Sequence, residues 1–464
     1  MHKFLLSLPV IAAVLLESCA VGPNYHRPKV PVPPGYRDSI DTANPGTQVE
    51  SFADLPWWQV FQDPQIQDLI RSALKNNYDL QAAVEHITQA RAQLGITRSN
   101  QLPQSQGTAD FSGGQSSATT RSNVLTMLAD ASYQLDLFGG LRRATEAARA
   151  QLLSTEEARR VVILTVVSDV ALDYFQLLGL DLQLKLTYDT IAAQKESLKL
   201  TQLRADRGVV SKVDVLQAQQ VLDTANAQIP EIEREVKQTE NAINILLGNY
   251  PAGIGSRRAL TEQPLLPDVP PGLTSSLLER RPDIRQAEQN LIAANAEIGV
   301  AKAAFFPQIA LTGSGGGSVG HISFLGTGSS ANSTLWSYGG SLAQPFFTGG
   351  RLRSNLHLAE SQQRESLIAY RQTIQIAFGE VSDALIGYQK IRELRARQEQ
   401  SVSTLQEAVR ISELRYRGGV TTFLEVLENQ RALYSAQLIL AQAQTSEYQS
   451  LVTLYKVLGG GWQR

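Results

Sequence analysis

The chain has 464 residues, with 42 Lys+Arg against 44 Asp+Glu and a formal net charge of -2. That balance excludes the basic excess of a nucleic-acid binder, and the length, more than twice a usual domain, points to two units or one elongated body. A single cysteine, Cys19, excludes an intrachain disulfide and a Cys-based metal site; the histidines (His2, His26, His86, His321, His357) never fall at metal-ligand spacing, so no metal and no cofactor is expected.

In chain order, Lys3 and the apolar run Phe4 to Leu16 read as the n- and h-regions of a secretory signal covering residues 1–18. The run is the longest apolar stretch and too short to span a bilayer, so no transmembrane helix is expected in the mature chain. Leu16-Glu17-Ser18-Cys19 resembles the bacterial lipoprotein cleavage box, which makes Cys19 the expected site of lipid attachment. Acyl chains there would anchor the protein, at about 0.8 kcal/mol per buried CH2. Ala20 follows where an Asp commonly retains lipoproteins at the inner membrane, so the outer membrane is the expected address. The remainder of 19–60 opens with a Pro-rich stretch, Pro23 to Pro34, that reads as an extended tether.

From residue 61 the chain repeats itself. Ala90, Ala92, Gly95, Pro103 and Gln104 match Ala294, Ala296, Gly299, Pro307 and Gln308 at an offset of 204; Arg204, Gly208, Val209, Leu216 and Gln219 match Arg415, Gly419, Val420, Leu427 and Gln430 at 211. The period is too long for a solenoid and indicates a duplicated unit, 61–247 and 274–459, joined by the Pro-rich linker 248–273 and closed by a tail at 460–464. Each half opens with a helix, about 62–100 and 274–304, stopped by Pro103 or Pro307; the second starts at Arg281-Pro282-Asp283, where Pro and an acid suit a first turn. Two strands follow in each half, within about 104–137 and 308–347. Ala129, Ala131, Tyr133 and Leu135 alternate with polar residues, as do Trp336, Tyr338 and Leu342, while Gly/Ser/Asn-rich loops such as Gly113 to Asn123 are expected between them. The glycines Gly313 to Gly317 lack the Lys-Ser/Thr ending of a phosphate loop.

Gly139-Gly140 and Gly349-Gly350 then switch to helices over about 141–204 and 351–415, each spanning roughly 95–100 Å. The stripe Leu367, Tyr370, Ile374, Phe378, Val381, Leu385, Tyr388 buries one face of the second. Arg142, Arg143, Arg351 and Arg353 at the helix starts are placed to meet anionic headgroups. Short turns at Arg207-Gly208 and Gly418-Gly419 lead to return helices ending near 247 and 458, with Pro230 expected to kink the first. Helices this long must pair lengthwise. Four strands cannot close a membrane barrel, which begins at about eight, and open edges are not tolerated in lipid, so other copies must complete it. No nucleophile–base set or carboxylate pair stands out, so no enzyme is expected.

These residues resemble the TolC-like outer-membrane factor family, in its NodT-like lipoprotein branch. The resemblance is carried by Cys19-Ala20-Val21-Gly22-Pro23-Asn24-Tyr25, Pro56-Trp57-Trp58, Asn77-Tyr78-Asp79-Leu80, Leu135-Asp136-Leu137-Phe138-Gly139 and Arg207-Gly208-Val209-Val210-Ser211. In the second half it continues in Arg280-Arg281-Pro282-Asp283-Ile284, Phe306-Pro307-Gln308, Arg417-Gly418-Gly419-Val420-Thr421 and Leu427-Glu428-Asn429-Gln430-Arg431. It implies a mainly α fold with a membrane β-barrel: a homotrimer whose twelve-strand barrel sits in the outer membrane on a long periplasmic α-barrel, with the linker in an equatorial belt. Its implied role is the passive exit duct of a tripartite efflux or secretion system, partnered by a periplasmic adaptor and an inner-membrane transporter of the RND type. The competing class is a structural or adhesive coiled-coil lipoprotein without transport, which would need no barrel strands. The resemblance also assigns adaptor docking to the tips, at Arg207, Gly208, Val209 and Ser211 and at Gly418, Gly419, Val420 and Thr422. It assigns a periplasmic gate to Arg417, Leu424, Glu428 and Arg431. Of these, Leu424, Glu428 and Arg431 share one helix face by spacing, and their counterparts Val213, Gln217 and Gln220 carry no charge, so the charged face belongs to the second hairpin; the resemblance implies that this hairpin closes the duct.

Overall fold

In the computed structural model, residues 20–33, 35, 54–117, 120–255, 257–264, 277–324 and 327–462 are described. The signal segment and Cys19 lie outside them, as do most of the tether beyond residue 35, residues 265–273 of the linker, the expected helix start at 274–276 and the last two of the tail. The chain divides into two units, one of Met1–Val30, Glu85–Glu157 and Arg285–Thr373, the other of Pro31–Val84, Ala158–Ile284 and Ile374–Arg464.

The first unit holds one antiparallel sheet in the order β1-β2-β3-β4: Gln104–Ser117, Thr120–Leu135, Gln308–Phe324 and Thr327–Ala343. The two strands of each repeat form a hairpin, and the hairpins join through β2 and β3, from Leu135↔Ile309 to Thr120↔Phe324. Within the expected Gly/Ser/Asn loop at Gly113 to Asn123, the described residues 113–117 and 120–123 are instead strand: Gly113 pairs with Asn123, and pairing continues to Ser117↔Thr120. A weakly patterned segment becomes strand once a neighbour satisfies its backbone groups, because strand preference is set by context more than by residue type.

The first expected helix, 62–100, is in fact two. α1 (Trp57–Val60) precedes α2 (Pro64–Asn76), and α3 (Tyr78–Ser99) follows after a break at Asn77. The Asn77 side chain makes the break, accepting from Leu80 N–H (3.0 Å) and donating to the Leu246 carbonyl (3.0 Å). α2 starts where Asp63 accepts from Gln65 N–H (2.9 Å). The same carboxylate is buried and accepts from Tyr174 Oη and Gln263 Nε2, both at 2.7 Å. Burial pushes the Asp63 carboxyl up, but these donors outweigh it and hold it below its ordinary range. In the second repeat, α6 (Leu277–Arg280) breaks before α7 (Pro282–Ala303), which begins at the expected proline.

The long helices match expectation closely. α4 covers Gly140–Asp206, α5 Lys212–Leu246, α8 Arg351–Arg417 and α9 Phe423–Val457. α4 and α8 have 67 residues each, about 100 Å of helix. α4 also contains an 18-residue window of mean hydropathy 1.8, apolar enough by composition for a membrane span, which the sequence reading did not pick out. It is core: Val166, Val167, Val170, Tyr174, Leu177 and Leu178 pack with Ile66 and Ile70 of α2 and with Val452 and Tyr455 of α9. On α8 the buried line is Tyr370, Ile374, Ala377, Val381 and Ala384. Small alanines occupy its centre, and Phe378 and Leu385 flank it half-buried, because close approach of helices favours short side chains on the contact line.

Candidate functional site: the hairpin tips and the sheet

Both hairpins turn in the same way. At the first tip Gly208 N–H donates to the Ala205 carbonyl (2.8 Å) and Val209 N–H to Arg204 (2.9 Å); at the second Gly419 N–H donates to Tyr416 (3.1 Å) and Val420 N–H to Arg415 (2.9 Å). This is the paired bonding of a helix end closed by a left-handed residue. Gly208 and Gly419 both have φ 72°, a conformation that glycine adopts without Cβ strain. Arg207, Gly208, Val209, Ser211, Gly418, Gly419, Val420 and Thr422 are all exposed, so each tip presents a valine to solvent beside its glycine.

The tips differ in what secures the return helix. Ser211 caps α5 through a full capping box: it accepts from Asp214 N–H (3.2 Å) while Asp214 accepts from Ser211 N–H (2.9 Å). Thr422 makes no side-chain cap bond to α9. Instead Glu425, the counterpart of Asp214 at offset 211, pairs with Arg415 (2.9 Å) and accepts from Thr421 Oγ1. Behind it Tyr416 lies against Phe423, ring centroids 5.1 Å apart, and Phe423, Val426 and Leu427 pack on Ala218 and Val221 of α5. The Arg204 guanidinium sits 4.8 Å from the centre of the Tyr416 ring, tying one tip to the other. Further along, Gln430 bridges Glu413 and Gln194 (3.0 Å each), and Thr187 bonds Tyr434 (2.9 Å). Sequence reasoning missed Tyr416, Phe423 and Glu425. Their signal was available as aromatic-for-Ala205 and aromatic-for-Lys212 exchanges between the repeats.

Leu424, Glu428 and Arg431 stand together on the exposed face of α9, with Leu424 47% exposed, while Phe423, Val426 and Leu427 face inward. Arg417 ends α8 and is exposed. Glu428 and Arg431 lie three residues apart on this face. Among the described residues of the single chain these two form no ion pair, and the ion pair at this tip is Arg415–Glu425.

In the first unit an extended strap, residues 20–27, is built into the helix starts. Val21 N–H donates to the Phe138 carbonyl (3.0 Å), and Asn295 Nδ2 donates to the Pro23 carbonyl (2.9 Å). Arg143 is buried, reaching Asn24 Oδ1 (2.7 Å), Glu146 (2.7 Å) and the Val21 and Gly22 carbonyls. Gly22 has φ 110° and lies so close that a Cβ would come 2.5 Å from Gly299 Cα. Arg142 is held by Asp136. Arg143 is therefore taken up inside the chain and does not face headgroups as expected, while Arg142 is half-buried on Asp136 and Arg351 and Arg353 are exposed. The strap brings Ala20, the residue after Cys19, against Gly139 at the end of the sheet.

The sheet has two unlike faces. On one, Phe111, Met127, Leu311, Val319, Trp336 and Tyr338 stand exposed, the last two at 74% and 84% with stacked rings. The register puts Gln106, Asp130, Ser314 and Ser337 in one row of the other face, and Asp110, Thr126, Ser318 and Ser333 in another. A 390 Å³ hollow on that side is lined by Gln104, Gln106, Asp130, Ser132, Thr312 and Ser314 among others. The sheet thus has an exposed face rich in apolar and aromatic side chains and an opposite face with rows of polar ones. β1 and β4 have no further strand beside them among the described residues.

A two-faced sheet and long helical hairpins, one hairpin per repeat, are the parts of an outer-membrane channel protein. The chain belongs to the outer membrane efflux protein family, whose model matches residues 69–249 and 273–460, one segment per repeat. It is 33% identical over 461 residues to the cation efflux system protein CusC of Escherichia coli O157:H7, covering 98% of this chain and 99% of that one. It is 36% identical over 476 residues to the probable efflux pump outer membrane protein TtgC of Pseudomonas putida, covering 100% and 96%. The open-state crystal structure of the MtrE outer membrane channel of Neisseria gonorrhoeae superposes with TM-score 0.84 at 32% identity, covering 96% of this chain and 99% of that one. The protein is thus an outer-membrane efflux channel component of a family of transport proteins, and the coiled-coil alternative is not favoured.

Proposed function

We propose that three copies form one duct, their four-stranded sheets closing a twelve-strand barrel in the outer membrane and their long hairpins an α-barrel in the periplasm. The observation that carries this is the sheet with two open edges and an exposed apolar face bearing Trp336 and Tyr338. Unpaired edges cannot persist in lipid, and four strands fall short of the roughly eight that a barrel requires. Three chains of four strands supply twelve. Mass measurement in detergent is expected to give three chains, with ion conductance after reconstitution in a planar bilayer. A monomer that keeps its β-structure would overturn the assembly.

In this reading the duct is passive and lipid-anchored at Cys19. An RND-type inner-membrane transporter drives cargo into it, and a periplasmic adaptor docks on Arg207, Gly208, Val209 and Ser211 and on Gly418, Gly419, Val420 and Thr422. Their common exposure and common turn geometry support a single partner motif reading both tips. Leu424, Glu428 and Arg431, with Arg417, form the resting gate. Their support is the exposed, charged face of the second hairpin, on which Glu428 forms no ion pair among the described residues, so that the carboxylate is placed to meet other copies near the axis. Like charges brought together there repel unless cations or arginines lie close. The double variant Leu424→Ala/Glu428→Ala is expected to raise single-channel conductance with the trimer intact; parental conductance from a folded trimer would remove the gate from these residues.

A further inference from the structure

Two junctions in the first unit lead from a strand through a Gly-Gly pair into a long helix, and each carries phenylalanine. At the end of β2, the Phe138 ring stacks on Phe306, centroids 4.6 Å apart and 19° between planes. Phe306 lies two residues before Gln308, the first residue of β3, the strand that pairs with β2. The rule at this inner junction is that the aromatic closing one strand is covered by the residue two positions ahead of the neighbouring strand. At the end of β4 the corresponding residues, Phe346 and Phe347, are 95% and 92% exposed. Among the described residues the strand beside β4 is β3 alone, and the far edge of β4 has no strand.

The repeat supplies the missing half. Pro307-Gln308 corresponds to Pro103-Gln104 at offset 204, so the counterpart of Phe306 is Leu102, two residues ahead of β1. Leu102 is 60% exposed, and β1 is the other open edge. β1 leaves and β4 reaches the same end of the sheet, so β4 of one copy beside β1 of the next runs antiparallel and brings the two uncovered apolar sites to one level. We propose that Phe346 and Phe347 of each copy pack on Leu102 of the adjacent copy, repeating between chains the Phe138–Phe306 contact made within each. The occupant is a second copy rather than lipid because the partner is specified by the same offset that relates the two halves. Phenylalanine also lacks the polar tip that suits tryptophan and tyrosine to a membrane interface. The inference rests on the barrel assembly proposed above.

Leu102→Cys and Phe347→Cys in one chain test it. Oxidation of the purified protein is expected to convert the population to covalent dimers and trimers, which neither single variant gives. Phe346→Ser/Phe347→Ser is expected to lose SDS-resistant trimer at temperatures at which the parent retains it. A wild-type chain that runs as a monomer would defeat the assembly itself. A chromatographic trimer of the double-cysteine protein without cross-links, or a serine variant whose trimer dissociates at the parental temperature, would defeat the contact alone and place these rings against lipid.

Discussion

The two hairpin tips carry the same backbone and different fastenings. Each closes a 67-residue helix with a glycine at φ 72° and the same pair of backbone bonds, and each opens a 35-residue return helix. The first is then secured by a local polar device, the Ser211–Asp214 capping box, with every group at the surface. The second gives up its cap and is held from behind, by Phe423 and Tyr416 in the apolar seam and by Arg415–Glu425 across the turn. A capping box depends only on residues three apart, so the first tip's cap is set by its own sequence. An aromatic plug depends on the facing helix, so the second tip is coupled to α5 and changes if the seam shifts. That is the property wanted in the hairpin proposed to open.

The largest break in this comparison comes from the plug. Phe423→Ala is expected to cost about 3 kcal/mol, the usual penalty for emptying a buried phenylalanine site. Hydrogen exchange should rise at residues 415–430 and much less at the first turn; equal rises at both would mean that the tips share one cooperative unit. The turns themselves are predicted to be equivalent. Gly208→Ala and Gly419→Ala should each cost about 1 kcal/mol, since both force a side chain into the left-handed region, and a several-fold difference in their denaturation free energies would show unequal strain. The caps should separate the tips again. Ser211→Ala is expected to lose about 1 kcal/mol, whereas Thr422→Ala, which breaks no cap bond, should stay within about 0.3 kcal/mol of the parent. A comparably small effect is expected at Arg415→Ala. Its ion pair is half-exposed and worth roughly 0.5 kcal/mol or less, so the loss should vanish in high salt, while Phe423→Ala should be unaffected by salt.

Local signals determined much of this protein. Pro282 and Gly-Gly set helix starts, Gly208 and Gly419 set turns, and the offsets of 204 and 211 disclosed the duplication that the family match divides at the same place. Both long hairpins were legible to within about two residues at each end because long periodic helices and obligatory glycines are decided by near neighbours in sequence. The candidate gate face was legible as i, i+4, i+7 spacing, and the exposure of Leu424, Glu428 and Arg431 agrees with it.

What only the tertiary structure decided are the partners supplied from far along the chain. Residues 113–117 and 120–123 became strand because they pair with each other across the hairpin, and 120–123 pair on to β3, about two hundred residues away. Arg143, read as a surface charge, is buried because the strap from residues 21–24 brings carbonyls and Asn24 to it. Asn77 broke a helix because the Leu246 carbonyl and Leu80 N–H satisfy its amide together. Glu425, not Glu428, took an arginine within the chain, since the turn places Arg415 across from it. In each case the residue type allowed several partners, and the packed chain selected one by satisfying its hydrogen bonds and charge at that place.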